Sequence, residues 1–179
     1  MTDALVPGAG KAESNSPLEQ LAPQPISAPP QRSPLTPLTV PAFRALKGVR
    51  KLACLTAYDA PTAALLDGSG IDLLLVGDSA EMVVYGQATT LTASLESLVR
   101  HAKAVRAATS NALVIGDMPY MSYHTTPQEA VHNAARFIVE AGCHAVKLEG
   151  GAVRIPMIEA LLHAEIPVMG HIGLTPQSV

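Results

Sequence analysis

The chain has 179 residues, 48% hydrophobic and 15% charged, enough for one domain with a substantial core and too few for two large ones. Twelve Lys and Arg against 15 Asp and Glu give a formal charge of -3 and a pI near 6.0, so there is no broad positive field to hold nucleic acid. No apolar run reaches the roughly 18 to 20 residues that span a bilayer, and Cys54 and Cys143 lack metal-ligand spacing; a soluble, cytoplasmic protein with reduced thiols is expected.

Residues 1–42 carry nine of the 15 prolines, interleaved with Ser, Ala and Gln. Proline removes amide donors, and the sparse Leu and Val bury too little area to offset an ordering cost of about 1 to 2 kcal/mol per residue. This segment is expected to be a disordered tail, with Asp3, Glu13 and Glu19 arguing against a transit peptide. The remainder, 43–179, reads as one catalytic domain.

Within it, short apolar runs at 52–57, 71–76, 112–115, 144–148 and 166–169 have the texture of strands buried on both faces. Helical spacing covers 61–67, 95–108, 127–141 and 154–164. Pro127 suits a first helical position behind Thr126 as N-cap, and Gly142 suits the stop. Strand alternating with helix predicts an α/β fold with a parallel sheet, because parallel neighbours need crossovers that cover its faces.

The residues that end these runs carry chemistry. Val76-Gly77 leads into Asp78-Ser79, Ile115-Gly116 into Asp117, Val146 into Lys147-Leu148-Glu149, and Met169-Gly170 into His171. The carboxyl ends of parallel strands point to one side, so these groups are expected to converge on one mouth. Lys147 and Glu149 are two apart and share a strand face. One strand-end Asp is more often an N-cap than a ligand. Three carboxylates gathered beside a single Lys predict a bound divalent cation, and oxygen donors without Cys favour Mg²⁺ over Zn²⁺. The metal set is therefore expected to be Asp78, Asp117 and Glu149. His101, His124, His132, His144 and His163 read as structural or solvated, and Met118, Met121, Tyr120 and Tyr123 as pocket wall.

Five segments resemble the 3-methyl-2-oxobutanoate (ketopantoate) hydroxymethyltransferase family, in its order and spacing. They are Leu55-Thr56-Ala57-Tyr58-Asp59, Leu75-Val76-Gly77-Asp78-Ser79, Asp117-Met118-Pro119-Tyr120-Met121, Val146-Lys147-Leu148-Glu149-Gly150-Gly151, and the run from Gly170-His171 through Thr175-Pro176-Gln177 to Val179. The resemblance implies a (β/α)8 TIM barrel in which Mg²⁺ holds a small-molecule 2-oxo acid. It implies transfer of a hydroxymethyl group from 5,10-methylenetetrahydrofolate, the co-substrate, to 3-methyl-2-oxobutanoate through a Mg-stabilised enolate, giving 2-dehydropantoate in pantothenate biosynthesis. It also implies a homo-oligomer in the full-length form. Carried over residue by residue, Asp78, Ser79, Asp117, Lys147 and His171 match substrate contacts, and Asp78, Asp117 and Glu149 match metal ligands.

The chain departs from the family at Ala80-Glu81-Met82, where a Gly usually stands in place of Glu81, at Thr90-Leu91-Thr92-Ala93-Ser94, and at Gln87. A (β/α)8 barrel typically takes about 250 residues. The domain is therefore expected to be truncated to about the first five strands, with no catalytic residue of its own, because the family's general-base glutamate lies beyond Val179. Two other readings stand beside the transferase. One is a Mg-dependent carbon-carbon lyase or mutase of the phosphoenolpyruvate mutase and isocitrate lyase type; the other is a non-catalytic truncated remnant.

Overall fold

The structure, a computed structural model, describes residues 36–178. Among these residues six α-helices and five strands follow in chain order, alternating except where two helices lie between β2 and β3: α1 (Val40–Ala45), β1 (Cys54–Thr56), α2 (Ala60–Gly68), β2 (Leu73–Val76), α3 (Ala80–Val83), α4 (Leu95–Ala107), β3 (Leu113–Asp117), α5 (Pro127–Val139), β4 (Ala145–Glu149), α6 (Ile155–His163) and β5 (Val168–His171). A 3-10 turn, Ala152–Arg154, precedes α6. The five strands form one parallel sheet whose spatial order follows the chain, β1-β2-β3-β4-β5. This is the expected α/β architecture of five strands with crossover helices.

Side chains alternate across the sheet, and the two faces bury different sets. Leu74 and Val76 of β2, Val114 of β3, and Val146 and Leu148 of β4 point to the helices, against Ala63, Leu98, Ala102, Val105, Ala130, Ala134, Phe137 and Leu161. The buried positions of α4 (Leu98, Ala102, Val105) and α5 (Ala130, Ala134, Phe137) recur every three or four residues, so each helix lays one stripe on the sheet. Gly116 admits the Phe137 ring: a Cβ there would stand 2.9 Å from the ring's Cγ and Cε1. The opposite face holds Leu73, Leu113, Ile115 and Ala145.

The helix ends are capped as the sequence directs. Asp59, Ser94 and Thr126 accept from the backbone N–H groups of Thr62, Ser97 and Glu129, three residues on. Pro127 occupies the first turn of α5.

Three features depart from the sequence reading. Most of the expected tail lies outside the described residues, but its last part does not behave as a tail. Leu38 N–H donates to Asn111 O at 2.8 Å, α1 starts at Val40, and Leu38, Val40 and Phe43 pack on the second sheet face. Those apolar groups find a ready-made surface, which repays ordering that the local sequence could not. Second, α3 follows Ser79 directly; it has four residues and no side-chain cap, so nothing in its pattern announced it. Third, β5 is shifted two residues along the chain, from the expected 166–169 to Val168–His171: it starts after Pro167, which has no N–H for a ladder, and it ends where Gly170 and His171 pair with Leu148 and Glu149.

Candidate active site

The alternation that separates the two faces also sorts the site. Asp117, Lys147 and Glu149 share the parity of Leu113, Ile115 and Ala145, so all three project away from the helices. Ladder register sets Asp117 opposite Lys147 and Glu149 opposite His171. Lys147 Nζ lies 2.8 Å from Asp117 Oδ2. The other oxygen, Asp117 Oδ1, is fully buried and has no hydrogen-bond partner. Burial pushes the Asp117 carboxyl up to about 7; Lys147 opposes the rise, and the charges of Asp78 and Glu149 add to it.

Asp78 and Ser79 leave the end of β2. Asp78 is buried and its Oδ2 accepts from Gln177 Nε2 at 2.9 Å. Ser79 Oγ is 2.7 Å from the Tyr58 hydroxyl. Gly77 keeps this corner tight, since a Cβ there would stand 3.0 Å from Ser79 Oγ and 3.6 Å from Asp117 Oδ2.

Glu149 is buried between two loops. Its Oε1 accepts from Gln177 N at 2.8 Å, and its Oε2 lies 3.3 Å from His171 Nδ1, close but outside hydrogen-bond geometry. His171 is half-buried at the rim. Tyr123, read from sequence as pocket wall, is fully buried and its hydroxyl is wired into the site: it accepts from Glu149 N–H at 3.2 Å and donates to Gln177 Oε1 at 2.6 Å. Burial pushes the phenol well above its usual range, with Glu149 and Asp117 adding, so it stays a donor. Sequence reasoning missed Gln177. It stood inside a quoted motif, but no spacing linked it to carboxylates far earlier in the chain.

The structure thus brings Asp78, Ser79, Asp117, Lys147, Glu149 and His171 to one end of the sheet. Among the described residues, no three His, Cys, Asp or Glu side chains converge to the spacing of a metal centre. The donor chemistry still fits a hard cation. It is all oxygen, one buried carboxylate oxygen is unpartnered, and Asp78 keeps one oxygen outside its bond to Gln177. Mg²⁺ usually takes only one or two protein carboxylates and fills its remaining positions with water and ligand oxygens. Glu149 has one oxygen hydrogen-bonded, to the Gln177 N–H, and its other oxygen faces His171 Nδ1 at 3.3 Å.

A parallel βα sheet that gathers carboxylates, a lysine and a histidine at its strand ends has the architecture of part of a (β/α) barrel, whose sites lie at that end. Solved structures agree on the fold. A phosphonopyruvate hydrolase superposes with TM-score 0.57 at 15% identity, over 70% of this chain and 49% of that one. 2,3-Dimethylmalate lyase, a PEP mutase/isocitrate lyase superfamily member, gives 0.54 at 18% identity, over 71% and 50%. The Ketopantoate hydroxymethyltransferase family matches residues 37–179, and the chain belongs to that family. The 3-methyl-2-oxobutanoate hydroxymethyltransferase of Clostridium botulinum (strain Langeland / NCTC 10281 / Type F) is 58% identical over 142 residues, 79% of this chain and 52% of the relative. The chain spans about half the length of the curated relatives it matches. No helix among the described residues is long and apolar enough to cross a membrane.

Proposed function

We propose that the chain serves transfer of a hydroxymethyl group from 5,10-methylenetetrahydrofolate to 3-methyl-2-oxobutanoate. Family membership and the name carried by the half-matched relatives support this reading. The observation that carries it at the site is Asp117, whose buried Oδ1 has no partner while its Oδ2 is held by Lys147. Asp78 and Asp117 would hold Mg²⁺, with Glu149 as the third carboxylate of the set. A divalent cation, when bound, supplies positive charge against the oxygens of a 2-oxo acid.

The chain's own groups do the rest of the binding. Lys147, anchored through Asp117, offers its ammonium to the substrate carboxylate. Ser79, held by Tyr58, offers a hydroxyl to the same ligand. His171 borders the substrate at the rim. Asp78, Asp117 and Glu149 are buried and the chain packs closely around Gly77, and a low local dielectric of this kind strengthens polar contacts. Deprotonation of the carbon next to the keto group is assigned to no residue of this chain. A cytoplasmic location and homo-oligomeric assembly belong to the same proposal.

Calorimetric titration of the chain with MgCl2 and 3-methyl-2-oxobutanoate, on wild type and Asp117→Asn, tests it. Asparagine keeps the shape and removes the charge. The expected result is saturable heat in wild type and a loss of at least about 10-fold in affinity in the variant. Equal affinities in the two proteins would remove the site.

A further inference from the structure

Gln177 sits in the turn after β5, where Ser178 N–H closes onto Thr175 O at 2.9 Å. It is buried and takes part in four hydrogen bonds, to partners on three segments: the end of β2, the loop between β3 and α5, and the end of β4. Its backbone N–H donates to Glu149 Oε1 at 2.8 Å. Its side-chain Nε2 donates to Asp78 Oδ2 at 2.9 Å and to Met118 O at 3.1 Å, and its Oε1 accepts from the Tyr123 hydroxyl at 2.6 Å. We propose that Gln177 is a positioning residue that fixes the Asp78 and Glu149 carboxylates and thereby sets the affinity for a divalent cation. This deepens the functional reading above and rests on it.

The carboxamide has one orientation that satisfies its surroundings. The end facing a carboxylate oxygen and a carbonyl oxygen, both acceptors, must be the NH2 group. The other end meets a phenol that accepts the Glu149 N–H and whose one proton faces Gln177 Oε1 at 2.6 Å and, further off, Glu149 O at 3.3 Å, so the shorter contact to Gln177 is the stronger. Tyr123 therefore orients Gln177, and Gln177 orients Asp78. With Oδ2 so engaged, Asp78 Oδ1 is the oxygen left for a cation. The backbone N–H claims one oxygen of Glu149 in the same way, so a single residue of the last turn aligns carboxylates from β2 and β4. Holding two anions in one arrangement before a cation arrives removes an ordering cost from binding. Hydrogen bonds to charged acceptors are also the stronger ones.

The experiment is Mg²⁺ titration calorimetry on the chain and on Gln177→Met, Gln177→Asn, Tyr123→Phe and the Tyr123→Phe/Gln177→Met double variant. Methionine keeps the length without a donor; asparagine keeps the amide but falls short of Asp78. Both are expected to weaken Mg²⁺ about 10-fold, the size of one charge-assisted hydrogen bond. Tyr123→Phe is expected to weaken it less, and the double variant no more than Gln177→Met alone, because Tyr123 acts through Gln177. Gln177→Met binding Mg²⁺ within about 2-fold of wild type, or additive effects in the double variant, would overturn the proposal. Crystal structures of metal-free wild type and Gln177→Met give a second readout. The Asp78 side chain is expected to change rotamer or lose order in the variant, and an unchanged, ordered Asp78 overturns the inference. If wild type binds no Mg²⁺, the cation reading falls by itself, and the Asp78 rotamer still decides whether Gln177 positions it.

Discussion

His144 replaces a backbone carbonyl beside Val114. The Val114 N–H donates to His144 Nδ1 at 2.9 Å, while the His144 N–H donates to Val114 O at 2.9 Å. The imidazole thereby extends the β3–β4 ladder by one rung at its amino-terminal end. The Nδ1 lone pair is committed, so the ring is neutral with its proton on Nε2.

Burial holds the His144 pKa below its ordinary value, and the nearby charge of Arg106 lowers it further. A histidine depressed in the folded state contributes stability that is present above its unfolded pKa, near 6.5, and lost as pH falls through its folded value. The urea midpoint is expected to drop between pH 7.5 and pH 5. His144→Asn, whose amide oxygen replaces the acceptor without titrating, should flatten that drop. An identical slope in the variant would assign the acid sensitivity elsewhere.

Asp67, at the end of α2, ties down the segment that enters β3. Its carboxylate accepts from the N–H groups of Ser110 and Asn111 at 3.0 Å, from Ala112 N–H at 2.8 Å and from Asn111 Nδ2 at 2.8 Å. Burial works to raise its pKa, but these donors outweigh it and hold the group below the usual carboxylate range. Asp67→Ala leaves the donors without their acceptor and is expected to cost about 3 kcal/mol in urea unfolding. Because the native pKa is depressed, this stability is present above the unfolded value near 3.9 and fades as pH falls through the folded one. Wild type should therefore lose stability below about pH 4 more steeply than the variant.

Gly116→Ala tests the close approach of α5 to β3. The added methyl would collide with Phe137. Overpacking of this kind is expected to cost about 2 kcal/mol, measured as the shift in unfolding free energy. Phe137→Leu in the same chain should recover part of the loss, so the double variant must be more stable than the sum of the singles. Strict additivity would mean that the two positions do not meet.

Lys147→Met separates the two ligands of the proposed site. At saturating Mg²⁺, affinity for 3-methyl-2-oxobutanoate is expected to fall about 10-fold, while the heat of Mg²⁺ binding persists. If the 2-oxo acid binds equally well to both proteins, Lys147 does not contact it.

Much of this site is legible without coordinates because strand parity is a local rule. Knowing that Lys147 and Glu149 are two apart, and that Asp117 ends a neighbouring strand, is enough to place them on one face. What the residues could not show is contact across long stretches of chain. Gln177 and Asp78 are 99 positions apart, and nothing in the composition of a Thr-Pro-Gln turn marks its amide as the partner of a particular carboxylate. The ordered start of the domain escaped for a related reason. Leu38 and Val40 look too sparse to pack, until Leu73, Leu113 and Ile115 supply a surface from elsewhere.

The order of the strands in space repeats their order in the chain. Each new strand docks against the one made just before it, so no strand of the sheet waits for a distant partner before it can pair. A polypeptide arranged this way is suited to consolidate stepwise as it emerges from the ribosome, one βα unit at a time, with early units templating later ones.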